Sequence, residues 1–122
     1  MNDNVLGSQF GLPGTDNTAS ATGIIDTHCH LYEPDYDGIR DELIKELPKN
    51  GIEKLICVGC NIKTTKQSIE LAQKYDFIYA QAGFHPCDTS DITDEMWAQM
   101  QELASHPKVV AIGEIGLDYH WD

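Results

Sequence analysis

The sequence predicts an α/β fold of four parallel strands joined by helical crossovers, β-α-β-α-β-α-β, with the repeat unit of a (β/α)8 barrel of the TIM type. Three observations predict it. Short apolar, β-branched runs alternate with stretches whose apolar residues recur at three- and four-residue spacing. Two of the runs, "KLICVGC" from Lys54 and "KVVAIGEIGLDY" from Lys108, are almost continuously apolar, as strands covered on both faces of a parallel sheet are. The strand starts, near residues 24, 54, 77 and 108, are spaced close to the roughly 30-residue unit that eight repeats in a barrel of ~250 residues require.

The first strand is Gly23 to His28. A helix follows over Gly38 to Asn50, with Ile39, Leu43, Ile44 and Leu47 forming its apolar stripe; Pro48 ends or kinks the last turn, and Gly51 is its stop. The second strand opens at Lys54. The second helix spans Thr64 to Tyr75, with Thr64 or Thr65 as N-cap and Ile69, Leu71 and Ala72 facing the sheet. "FIYAQAGFHP" from Phe77 carries the third strand. Thr93 caps a third helix over Asp94 to Ser105, with Trp97, Met100, Leu103 and Ala104 on one face. The fourth strand is expected to run as far as Tyr119, and no helix follows it before Asp122, so an apolar edge is left open. An open doubly wound sheet is the competing architecture. Its dinucleotide-binding version loses its main support, because no G-x-G-x-x-G follows the first strand.

Residues 1–23, rich in Gly, Ser, Thr and Asn and without hydrophobic period, read as a mobile tail; the domain is expected over 24–122. The tail has neither a basic start nor an apolar h-region, and no apolar run is long enough to span a membrane. Four cysteines without a secretion signal point to reduced thiols and a cytoplasmic setting, with the nucleus as an alternative. The lone C-x-x-C, Cys57 to Cys60, reads as packing at a strand end rather than as a structural zinc site. The net charge is −12 and the chain holds a single arginine, which excludes a broad phosphate-binding surface. A nucleic-acid substrate would need divalent cations to supply the missing positive charge.

The chemistry concentrates at one end of the strands. In "IDTHCHL", His28 and His30 alternate at the C-terminal end of the first strand, so both imidazoles face the same way, with Asp26 on that side. In parallel α/β proteins that end holds the active site, and imidazole suits zinc and related ions. The competing reading makes His28 a hydrogen-bonding or capping residue and His30 a solvated loop residue. Glu114, between Gly113 and Gly116, places a carboxylate in an otherwise apolar strand, where it needs a cation, a donor or a proton; Lys108 is the only lysine or arginine within ten residues. His85, in "AGFHP" at the end of the third strand, is a metal ligand, a donor to a substrate oxygen, or a turn residue held by Pro86. Asp118 orients a ligand or caps the segment after it. His106, before Pro107 at the opposite end, is expected to be structural.

"IDTHCHL", "AGFHP" and "VVAIGEIGLDY", in this order and spacing, resemble the TatD-type family of metal-dependent deoxyribonucleases, and "KLICVGCNIKTTKQSIELAQKY" resembles that family's second strand and helix. The resemblance covers residues 24–120. It implies a (β/α)8 barrel that hydrolyses DNA phosphodiester bonds, often from strand ends, with a pair of divalent metals (Mg, Mn or Zn). It further implies that His28 and His30 bind one metal, that Glu114 binds or bridges both and acts in catalysis, and that His85 lies near the substrate phosphate. The family's remaining ligands, two histidines and an aspartate from later strands, have no counterpart here, so by this resemblance the chain reads as the N-terminal half of a (β/α)8 TIM-type barrel, an incomplete fragment, inactive by itself. Two alternatives stay open: a related barrel hydrolase acting on amides or small phosphoesters, and an inactive interaction module.

Overall fold

A computed structural model describes residues 22–120. The expected tail thus lies outside the described residues except for Thr22 and Gly23. Four parallel strands form one sheet in sequential order: β1 (Ile24–Cys29), β2 (Ile52–Val58), β3 (Ile78–Ala82) and β4 (Val109–Ile112). Three helices connect them: α1 (Arg40–Glu46), α2 (Ile62–Lys74) and α3 (Asp94–Ala104). Each strand lies beside its successor, as in a barrel wall; a doubly wound sheet reverses its order at a switch point, and this one does not. The fold is that of a partial (β/α)8 barrel.

The core forms between the sheet and its helices. Ile78 and Ala80 of β3, Leu55 and Cys57 of β2, Ile44 of α1 and Ile69 of α2 are all buried. A smaller cluster of Ala82, Phe84 and Met100 seats α3. α1 is shorter than its periodicity suggests. It ends at Glu46, Pro48 opens a single 3-10 turn, and Gly51 reverses the chain at φ 95°, a conformation that glycine adopts without steric penalty.

Three expectations need correction. α2 begins at Ile62, not at Thr64 or Thr65. Its cap is Asn61, whose side chain accepts the Thr64 N–H at 2.8 Å, while the Thr64 hydroxyl accepts the Asn61 N–H at 3.1 Å. Thr64 is therefore the third residue of a capping box rather than the cap itself. β4 stops at Ile112, well short of Tyr119. Nor is β4 covered on both faces: Val109 packs into the core, but Val110 and Ile112 are 52% and 60% exposed, because β4 is the last strand of the sheet. Ile115, Leu117 and Tyr119 beyond it are also exposed.

Candidate metal centre

The C-terminal ends of β1, β2 and β3 and the segment after β4 meet at one rim. β1 arrives there through a bulge. Asp26 pairs with Leu55 and Cys29 with Cys57, so β1 carries one residue more than β2 across this interval. The Thr27 carbonyl is taken up by the Gln81 side-chain amide at 3.1 Å, reaching across from β3. Asp26 turns its carboxylate back to the His28 N–H at 2.9 Å and does not join the imidazoles.

His28 and His30 converge, with their Nε2 atoms 3.1 Å apart and their rings edge to face. Glu114 comes from the other side of the sheet, its Oε2 lying 3.8 Å from His28 Nε2. One ligand atom from each of the three residues falls within 4.8 Å of the other two. Two nitrogens each about 2.1 Å from a shared ion stand roughly 3.0 Å apart when they subtend a near-right angle, so the imidazole spacing fits a divalent cation. Two nitrogens and a carboxylate oxygen also form a donor set suited to zinc and its neighbours.

Glu114 is held in place through its backbone. The Gly113 N–H donates to Ala82 O at 2.9 Å and the Glu114 N–H to Gly59 O at 3.1 Å, so the segment folds over the ends of β3 and β2. Gly83 makes this approach possible: a Cβ there would lie 2.6 Å from the Gly113 carbonyl carbon and oxygen. Glu114 therefore sits past the end of β4 with its side chain 31% exposed, rather than inside an apolar strand, and its partners are histidines rather than Lys108.

His85 occupies the second carboxylate oxygen, with its Nε2 3.1 Å from Glu114 Oε1. The Nδ1 of His85 accepts the Cys87 N–H at 3.1 Å, so the ring proton resides on Nε2 and points at Glu114. Cys60 completes the rim, with Sγ 3.9 Å from Glu114 Oε2 and 3.6 Å from the Tyr32 hydroxyl; burial, and then the Glu114 charge, push its thiol pKa up. Its C-x-x-C partner Cys57 is buried in the core, and all four cysteines are free. Asp118 stays outside the cluster: its carboxylate accepts the His120 N–H at 2.9 Å and the Cys87 thiol at 3.4 Å. His106 sits at the far end of the sheet, accepting the Lys108 N–H at 3.1 Å and meeting Gln73.

Two residues at this rim escape a reading based on ligand types. Tyr32 bonds both His30 Nδ1, at 2.6 Å, and Val58 O, at 2.8 Å. Burial drives its phenol pKa well above the ordinary value, so the hydroxyl keeps its proton. Arg40, the only arginine in the chain, spans the loop after β1 by donating to the carbonyls of Leu31, Tyr32 and Glu33 at 2.7, 3.1 and 2.8 Å. Three residues between His30 and Arg40 are acidic (Glu33, Asp35 and Asp37), which in sequence suggests only a solvated loop.

Comparison with known proteins places this rim in context. Residues 25–122 match the family model described as TatD related DNase. The chain is 46% identical over 99 residues to a metal-dependent hydrolase, YabD, of Bacillus subtilis, covering 81% of this chain and 39% of that protein. It is 33% identical over 97 residues to the 3'-5' ssDNA/RNA exonuclease TatD of Cronobacter turicensis, covering 80% and 37%. Among solved structures, the TatD homolog YJJV of Escherichia coli superposes with a TM-score of 0.71 at 33% identity, over 81% of this chain and 39% of that one. A TatD family hydrolase of Entamoeba histolytica gives 0.73 at 27% identity, over 83% and 40%. The chain thus spans about two-fifths of the length of the relatives it matches. On the strength of the match over residues 25–122, the chain belongs to the TatD-related DNase family.

Proposed function

We propose that the complete protein is a metal-dependent hydrolase that cleaves DNA phosphodiester bonds, acting as an exonuclease, and that this chain contributes the first part of its active site. The observation that carries the proposal is the convergence of His28, His30 and Glu114 within 4.8 Å at the rim of a sheet belonging to this family. His28, His30 and Glu114 are the residues that would hold one divalent ion. When bound, such an ion would polarise a phosphoryl oxygen and offset charge on the scissile phosphate. His85 keeps Glu114 oriented through Oε1, and its ring would lie near the substrate phosphate. With a net charge of −12 and one arginine, the chain offers a polyanion little attraction of its own, so the cation carries much of that burden. Ligands for a second ion come from the part of the barrel that this chain does not span.

The test is cleavage of end-labelled single-stranded DNA by the full-length protein with Mg2+, Mn2+ or Zn2+, compared with the His28→Ala and Glu114→Gln variants. Metal-dependent shortening from one end that both variants abolish is the expected result. Absence of cleavage with every metal, or full activity in both variants, overturns the proposal.

A further inference from the structure

We propose that Tyr32 is a positioning residue that sets the tautomer of His30 and so aims its Nε2 lone pair at the metal position. The inference rests on the metal site proposed above and concerns a residue that contributes no ligand atom to it. The argument is one of proton counting. A carbonyl oxygen only accepts, so Val58 O, 2.8 Å from the Tyr32 hydroxyl, must receive the one proton that hydroxyl carries; without it, two oxygen lone pairs would face each other. His30 Nδ1 lies 2.6 Å from the same hydroxyl oxygen, which now has only lone pairs to offer. Nδ1 therefore donates. A neutral imidazole with its proton on Nδ1 has its lone pair on Nε2, the nitrogen that stands 3.1 Å from His28 Nε2.

The support is rigid. The Tyr32 ring is 8% exposed and packs in the main core. The Tyr32 carbonyl and those of its two neighbours are clamped by Arg40, so the hydroxyl is fixed before any ion arrives. A histidine whose second nitrogen is tied in this way binds metal more tightly and in one orientation.

The test uses the full-length chain and two readouts. Ring 15N spectra of the metal-free protein report the His30 tautomer directly, and competition with a chromophoric chelator gives the Zn2+ affinity. The wild type is expected to carry the His30 proton on Nδ1. Tyr32→Phe keeps the packed ring, loses that single tautomer and binds Zn2+ about tenfold or more weakly. A wild-type His30 protonated on Nε2 overturns the proposal without any variant, which covers the case in which Tyr32→Phe fails to fold. A wild type that binds Zn2+ with a Tyr32→Phe variant that binds it equally well overturns the role of Tyr32 and leaves the metal site standing. A wild type with the Nδ1 proton in place that binds no Zn2+ overturns the metal reading itself, and the role of Tyr32 falls with it.

Discussion

The imidazole of His85 donates from Nε2 to Glu114 Oε1 at 3.1 Å while its Nδ1 accepts the Cys87 N–H at 3.1 Å. The ring is thus committed at both nitrogens and fixes one oxygen of the carboxylate, leaving Oε2 facing His28. His85→Ala should retain the fold and the metal stoichiometry but weaken Zn2+ binding about tenfold or more, because the carboxylate is free to rotate. Isothermal titration checks this; an unchanged affinity would remove His85 from the support of the site.

Gly83→Ala should be far more damaging than its single methyl suggests. The new Cβ would fall 2.6 Å from the Gly113 carbonyl, and the segment that carries Glu114 would have to lift off the end of β3. Both Zn2+ affinity and the urea midpoint should drop. A variant matching the wild type in both would show that this close approach is not needed.

Arg40→Lys tests the clamp over the loop after β1. An ammonium cannot reproduce the planar fork that meets three successive carbonyls. The expected loss is about 1–3 kcal/mol in chemical denaturation, since the orphaned carbonyls belong to a partly buried loop. A loss no larger than that of a surface Lys54→Ala control would mean that solvent serves these carbonyls equally well.

Ile78→Ala probes the core beneath the site. Ile78 is fully buried on β3, between β2 and β4 in the sheet. The substitution should cost about 2–5 kcal/mol, through lost burial and the cavity left behind. Equilibrium unfolding followed by circular dichroism reads the value, and a cost under about 1 kcal/mol would show that the site collapses around the gap.

Strand and helix order was legible because "KLICVGC" is apolar almost throughout, while Thr64 to Tyr75 places its apolar residues at helical spacing. The histidines and Glu114 were legible as candidates because a polar, ligating group at a strand end stands out against apolar neighbours. The end of β4 was not: "IGLDY" has strand composition, and only the missing neighbour on that side explains why its apolar residues lie exposed. Asn61 was passed over as a cap because Thr64 and Thr65 carry the same preference and sit closer to the apolar stripe. Tyr32 and Arg40 gave no signal, since their roles depend on contacts with Val58, His30 and three backbone carbonyls that exist only after folding. The bulge in β1 was equally invisible, because register belongs to a pair of strands and not to one.

The central claim is that His28, His30 and Glu114 hold one ion between them. Anomalous diffraction at the zinc edge, from crystals of the full-length protein grown with Zn2+, tests it most directly. The account predicts a peak within about 2.0–2.2 Å of His28 Nε2, His30 Nε2 and a Glu114 oxygen. A zinc peak elsewhere, with these three side chains bonded only to one another, would contradict it.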